Sequence, residues 1–341
     1  MKHRALIGWA PLLALFATAC GGNDRERYPM TVYDPKSDFA QTLLDLQNLT
    51  LYLGIGVGLL VFGVMAYISL RFRHRPDQPD PDQVHGNTRL ELAWTLFPAV
   101  ILAIIAVPTV QTIFETQRQP PPNALTIDVV GWQWWFEFKY PINGGQDTVI
   151  TANEVHIPAG QPIHFRMTGG DVIHNFWVPQ MGGKRYLIPN HFNSIQFTTN
   201  EPGVYLGQCA EFCGPSHALM KMRLIVHTPE GYARWIRNEA RPAVEPMDSA
   251  ILIGQQKVTQ GACAGCHIIK GTQMVGRAGP DLTHFAQRRT LAAGILENNA
   301  YNLAAWIRNA PAIKPGSRMP AMPQLSEQDI GYIVAYLQTL E

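Results

Sequence analysis

The chain has 341 residues, enough for two or three domains of ordinary size. Its formal charge of +1, from 27 basic and 26 acidic residues, excludes a nucleic-acid binder that works through a basic excess, and five cysteines are too few for a disulfide-stapled scaffold of this length. Those cysteines, at 20, 209, 213, 263 and 266, fall as one isolated residue and two close pairs, a grouping that suggests chemistry rather than stapling.

The N-terminus, MKHRALIGWAPLLALFATACGG, runs from a basic start through an apolar stretch to small residues and Cys20. This is the layout of an export signal over residues 1–19. Small residues before a lone cysteine are similar to a lipoprotein cleavage site, with Cys20 as the lipidated mature N-terminus, although Ala17 stands where leucine is usual. A signal peptide cut nearby and an uncut anchor are the alternatives. Residues 20–42 form an exported segment, and residues 43–116 a membrane hairpin. Leu49 to Leu70 is uncharged for 22 residues and Leu92 to Phe114 for 23, where a bilayer core needs about 20. Arg71, Arg73, Arg75 and Arg89 crowd the intervening loop, and positive charge marks the cytoplasmic side. Both termini and everything after residue 115 therefore face the outside. Glu91 lies at the cytoplasmic mouth of the second span, where an acid usually serves only as a solvated helix end.

From Ala124 the texture changes to short β-branched and aromatic runs broken by Gly and Pro, such as LTIDVVGWQWWFEFKY and NSIQFTTNEPGVYLGQ. Turn signals every eight to twelve residues predict an all-β sandwich or barrel over residues 120–228. Its last loop reads GQCAEFCGPSHALM, with Cys209, Cys213, His217 and Met220 in a C-xxx-C-xxx-H-xx-M pattern. Thiolate, imidazole and thioether form the soft ligand set that favours copper, whereas zinc sites seldom use methionine. A mononuclear blue-copper site needs one cysteine; two close thiolates can bridge two coppers. A second histidine should come from a distant loop, and among His156, His164, His174 and His191 the best placed is His174 in GGDVIHNFWVP. A plain Cys209 to Cys213 disulfide is the competing reading.

Residues 229–248 read as a short helix and linker, and 249–341 as a further domain containing CAGCH, Cys263 to His267. C-xx-CH is the haem c attachment signature: two thiols bond the porphyrin vinyl groups and the histidine becomes an axial ligand. A thioredoxin-like redox pair would need an α/β setting and no following histidine. Met319, in KPGSRMPAMPQLS, is the candidate for the second axial ligand, with Met322 as the alternative. Met274 lies too close to the attachment helix to reach the far face. Ser326 and Asp329 form a helix-start signature before an apolar face of Ile330, Ile333, Val334 and Leu337, which predicts a last helix packed on the one preceding CAGCH.

The hairpin together with GWQWWFEF, DVIHNFWVP and CAEFCGPSHALM resembles subunit II of the haem-copper cytochrome c oxidases over about residues 30–228, and residues 249–341 resemble a class I cytochrome c. The fusion fits the caa-type branch. The resemblance implies a multidomain protein: a two-helix transmembrane hairpin, an all-β cupredoxin-like sandwich and an all-α class I cytochrome c domain. It implies a binuclear CuA centre in which Cys209 and Cys213 bridge two coppers, His174 and His217 bind one each, Met220 ligates one, and Glu211 ligates the other through its carbonyl. It further implies a magnesium ion held by the Glu211 carboxylate at the junction with subunit I, Trp134 as the tryptophan through which electrons arrive, and Glu91 at the entrance of a proton channel.

By the same resemblance, a reductase or small cytochrome c reduces the haem, the haem reduces CuA, and CuA feeds the haem a and haem-copper centre of subunit I. Oxygen is reduced there with proton pumping, in a bacterial inner-membrane assembly that includes subunit III. The chain is then an oxidase subunit that is not catalytic alone. The rival classes are an exported copper-binding or copper-delivery protein, the copper domain of a nitrous oxide reductase, whose large propeller is missing here, and a quinol-oxidase subunit II, which lacks the copper ligands.

Overall fold

The computed structural model describes residues 28–77, 79 and 82–341; Cys20 and the export signal read over 1–19 lie outside the described residues. Helix α1 spans Asp38–Arg71 and α2 spans Thr88–Thr116. The Ser37 hydroxyl caps α1 by accepting from the Ala40 amide, and the Asn87 side chain caps α2 by accepting from Leu90. Both helices are long and apolar enough to cross a bilayer, and their most apolar windows are wholly uncovered by the rest of the chain. Two unbroken apolar surfaces of this kind are stable only in lipid or against partner helices. Pro98 and Pro108 lie inside α2, as membrane helices tolerate.

At about 1.5 Å per residue the 34 residues of α1 reach about 51 Å, well beyond the hydrocarbon core. Its first turn is seated on the next domain. Phe39 and Ala40 are buried, the Ser37 hydroxyl donates to the Met181 carbonyl at 2.6 Å, and the Thr198 amide donates to Asp38 Oδ1 at 2.8 Å. A side chain at Gly182 would collide with the Phe39 ring, so this glycine is what lets the helix approach.

Ten strands follow: β1 Leu125–Trp132, β2 Trp135–Ile142, β3 Asp147–Ala152, β4 Glu154–Pro158, β5 Ile163–Gly169, β6 His174–Trp177, β7 Arg185–Leu187, β8 Asn193–Phe197, β9 Gly203–Cys209 and β10 Lys221–His227. They form two five-stranded sheets, ordered β3-β2-β1-β5-β8 and β4-β10-β9-β6-β7. Side chains alternate as a half-buried strand requires: Ile127 and Val129 of β1 and Phe136, Phe138 and Tyr140 of β2 point inward to meet Phe165 and Phe176. Helix α3, Pro229–Glu239, opens the stretch read as linker. It inserts Trp235 against Tyr140 and so packs as part of the sandwich.

The last domain has its own core, built by α4 Ser249–Gln260, α5 Ala300–Arg308, α6 Ala310–Ile313 and α7 Glu327–Leu337, with a short hairpin of β11 Thr290–Leu291 and β12 Leu296–Glu297 that the all-α expectation did not include. The Ser326 and Asp329 signature forms a full capping box on α7. Helix α4 crosses α7 at Gly254, where a Cβ would overlap the Tyr332 carbonyl oxygen. Gly254→Ala is therefore expected to overpack this crossing, destabilise the domain by about 1–3 kcal/mol and lower its thermal midpoint while the sandwich melts as before, followed by circular dichroism in haem and aromatic bands.

Candidate redox-metal centres

The sandwich brings its soft ligands together at one end of the second sheet. Cys209 ends β9, Met220 directly precedes β10, and Cys213 and His217 lie in the loop between them. His174, read from the sequence as a loop residue, instead opens β6, the strand beside β9, where Phe176 pairs with Cys209. The imidazole and the thiols are thus placed by sheet register. Gly131 of β1 leaves room for the ring, since a Cβ there would lie 2.9 Å from a His174 ring carbon.

Cys209 Sγ and Cys213 Sγ stand 3.9 Å apart, far beyond the roughly 2.05 Å of a disulfide, and both are free and buried. Cys213 Sγ lies 3.7 Å from His217 Nδ1 and 4.0 Å from Met220 Sδ, and Cys209 Sγ lies 3.3 Å from the Glu211 carbonyl oxygen. His174 is 0 % exposed, and a ligand atom of its ring lies within 4.8 Å of both sulfurs. Its Nε2 faces Asp171 Oδ1 at 2.9 Å, which leaves Nδ1 buried with no hydrogen-bond partner among the described residues. A buried nitrogen lone pair without a donor is costly unless something binds it.

The charges point the same way. The hydrogen bond from Cys213, more than the contact with His174, lowers the Cys209 pKa well below the usual thiol range, and the Cys213 thiol is pushed up by donating that hydrogen bond, by burial and by the charge of its neighbour. A bound cation would stabilise both sulfurs as thiolates at this spacing. Two sulfurs, two imidazoles, a thioether and a carbonyl fit copper by softness.

In the last domain Cys263, Cys266 and His267 line a cavity of about 500 Å³ together with Trp306, Met319 and Met322. The His267 Nδ1 hydrogen bonds to the Pro280 carbonyl at 2.8 Å, which frees Nε2 as a ligand atom, and burial lowers the pKa of the ring and keeps it neutral, the form that binds iron. Gly279 lies against this ring, where a Cβ would come within 2.6 Å of it. Both Met319 and Met322 line the cavity, whereas Met274 is buried in the domain core.

The cavity has a wall from the other domain, formed by Trp132, Gln133, Trp134 and Trp135. The Trp134 indole N–H donates at 3.0 Å to the Cys213 carbonyl, so one side chain borders the haem cavity and touches the copper loop. Three sequence models match this chain: "Cytochrome C oxidase subunit II, transmembrane domain" over residues 26–112, "Cytochrome C oxidase subunit II, periplasmic domain" over residues 142–227 and "Cytochrome c" over residues 251–341. The cytochrome c oxidase subunit 2 of Alkalihalophilus pseudofirmus is 39% identical over 335 residues, covering 96% of this chain and 95% of that one. The chain belongs to the cytochrome c oxidase subunit II family. The Bacillus subtilis subunit 2 is 29% identical and covers 100% of this chain and 99% of its own length. The solved periplasmic domain of subunit II from Bradyrhizobium japonicum shares 31% identity over 36% of this chain and 96% of that one, with a TM-score of 0.33.

As a subunit II with a cytochrome c domain, the chain is an electron-transfer component of a terminal oxidase, a membrane protein with periplasmic domains that works with a haem-copper subunit I. The cytochrome c domain implies haem c and the subunit II domain implies the copper of CuA. Glu91 is exposed, and its carboxylate accepts from the Asn87 amide at 3.1 Å, closing the start of α2. His164 lies on β5, and His156 of β4 hydrogen bonds to His227 at 2.8 Å and stacks on Trp235; neither they nor the exposed His191 joins the metal loop.

Sequence reasoning missed Asp171, which accepts from the Gln133 and Val172 amides as well as facing His174. Its signal was present in GGDVIHNF, an acid three residues before the ligand. Such an outer partner fixes the tautomer and angle of a metal-binding imidazole. Asp171→Asn in this subunit II should weaken copper binding by roughly 10- to 100-fold, measured by competition with a chelator. An unchanged affinity would remove Asp171 from the site.

Proposed function

We propose that this chain carries one electron at a time from haem c to CuA and on to subunit I of a caa-type, proton-pumping oxidase that reduces oxygen to water. The observation that carries the reading is the shared Trp134, which walls the cavity around Cys263, Cys266 and His267 and donates to the backbone of Cys213. When bound, the two groups supply outer-sphere redox chemistry that needs no proton transfer from the chain.

The side chains hold and orient. Cys209 and Cys213 would bridge two coppers, with His174 and His217 each binding one through Nδ1, Met220 through sulfur and Glu211 through its carbonyl; the fit rests on the orphaned His174 Nδ1 and the paired thiols. Cys263 and Cys266 would anchor the haem, and His267 and Met319 would bind its iron. Burial of Cys209, Cys213, His174 and Met220 keeps water away, so little rearrangement accompanies a change of charge.

The finer roles follow the family. The Glu211 carboxylate would hold magnesium against subunit I, Trp134 would receive electrons, and Glu91 would stand at a proton channel. Cys20 would be lipidated, and subunit III and a reductase or small cytochrome c would complete the assembly. The arginines of residues 71–89 set the loop inside and both termini outside.

Metal analysis with electron paramagnetic resonance tests this. Two coppers and one iron per chain with a shared-electron copper signal are expected. A single labile copper would instead mark a copper-delivery protein. Met319→Leu should abolish the sulfur-ligated haem spectrum and lower the haem potential, while Met322→Leu should leave both nearly intact; the reverse pattern would transfer the ligand role to Met322.

A further inference from the structure

Two redox domains joined by a tether could meet only transiently, docking and separating at each electron. The described residues show a different arrangement. Lys314, which opens the loop carrying Met319, is 4 % exposed, and its Nζ donates to the carbonyls of Trp134 at 2.6 Å, Leu219 at 3.0 Å and Ala292 at 3.1 Å. The first two belong to the copper domain and the third to the cytochrome domain. An ammonium has three donors, so the three carbonyls satisfy it fully. No carboxylate among the described residues forms an ion pair with it and burial pulls its pKa down to about 7, so the three carbonyls are its whole set of partners.

A second charged contact faces the other way. Glu154 of β4, 2 % exposed, accepts from the amides of Arg289 at 3.1 Å and Thr290 at 2.8 Å and from the Thr290 hydroxyl at 2.9 Å. Between these points the Lys221 amide donates to the Ala293 carbonyl at 3.1 Å, and the buried Ser216 hydroxyl donates to the Pro315 carbonyl at 2.6 Å. Gly316, at φ +82°, lies so close to the Trp134 ring that a Cβ would be 2.5 Å from it. By comparison Arg318, 62 % exposed and 3.4 Å from Asp171, is a solvated pair of little weight.

We propose that Lys314 is the positioning residue for transfer between the two centres, fastening the cytochrome domain to the copper domain in one pose together with Glu154. The proposal rests on the haem c and CuA reading. Electron transfer between the two groups, when bound, would make and break no bond, so relative placement is what the chain contributes. Lys314 lies five residues before Met319, so the fastening point and the iron ligand are parts of one loop, and a shift of the fastening moves the haem face relative to Trp134. The wall from Trp132 to Trp135 also closes this side of the cavity to an external donor, which must approach from another face.

The test uses the full-length chain in detergent, loaded with haem and copper, as Lys314→Met and Glu154→Gln. Each change removes charge from an opposite side of the junction, so one remains informative if the other misfolds. Hydrogen exchange at the Lys221 and Thr290 amides should accelerate by at least about tenfold, with β1 and β2 amides unchanged. Haem-to-copper transfer after photoreduction should slow by about tenfold or more, with the haem absorbance and copper resonance of the unaltered chain retained. Unchanged exchange and unchanged transfer in both variants would overturn the fastening. If the unaltered chain shows no haem or no shared-electron copper signal, the reading of the centres fails, and the exchange measurement alone decides the role of Lys314.

Discussion

Two thiols 3.9 Å apart in a dry pocket resist ionising together, and a cation between them would remove that resistance. Much of the sandwich serves to hold them there. Register places Phe176 opposite Cys209, which sets His174 beside the sulfurs, while the loop from Cys213 to Met220 returns the remaining ligands to the same point. Asp171 then turns the His174 ring so that Nδ1 faces the thiols. Without a metal the pair is kept as one thiolate hydrogen-bonded to one thiol, and a bound cation would allow the second proton to leave.

The same economy governs the junction between the two redox domains. Each domain has its own core, yet the haem cavity is completed by tryptophans of the other domain. Buried polar groups rather than apolar area define their relative pose, and such groups are directional: a lysine with three carbonyls is satisfied in one arrangement and unsatisfied in its neighbours. The junction therefore selects an orientation more sharply than a greasy interface of the same size would.

What could be read from the sequence depended on range along the chain. Cys209, Cys213, His217 and Met220 fall within twelve residues, and Cys263 to His267 within five, so ligand chemistry alone exposed them. The membrane helices and the last capping box were likewise local patterns. His174 was recoverable because few histidines competed for the role, although its place at the start of β6 was not. Lys314, Glu154 and Ser216 were invisible: each acquires its role from partners in the other domain roughly a hundred or more residues away, and none carries a spacing that distinguishes it from an ordinary surface residue. The short helix at the start of residues 229–248 was expected, but not its packing on the sandwich, because nothing local announces that Trp235 will find Tyr140.

Helix α1 passes from the lipid-facing run into the first turn seated under the sandwich without a break. It behaves as a threaded post. Deleting one residue between the lipid-facing run and the seated turn would shift the copper pocket by about 1.5 Å and rotate it by about 100°, so height and heading change together. The length of α1 between its seated turn and the lipid-facing run thereby sets both the height and the heading of the redox site above the membrane, although this helix supplies none of the candidate ligands.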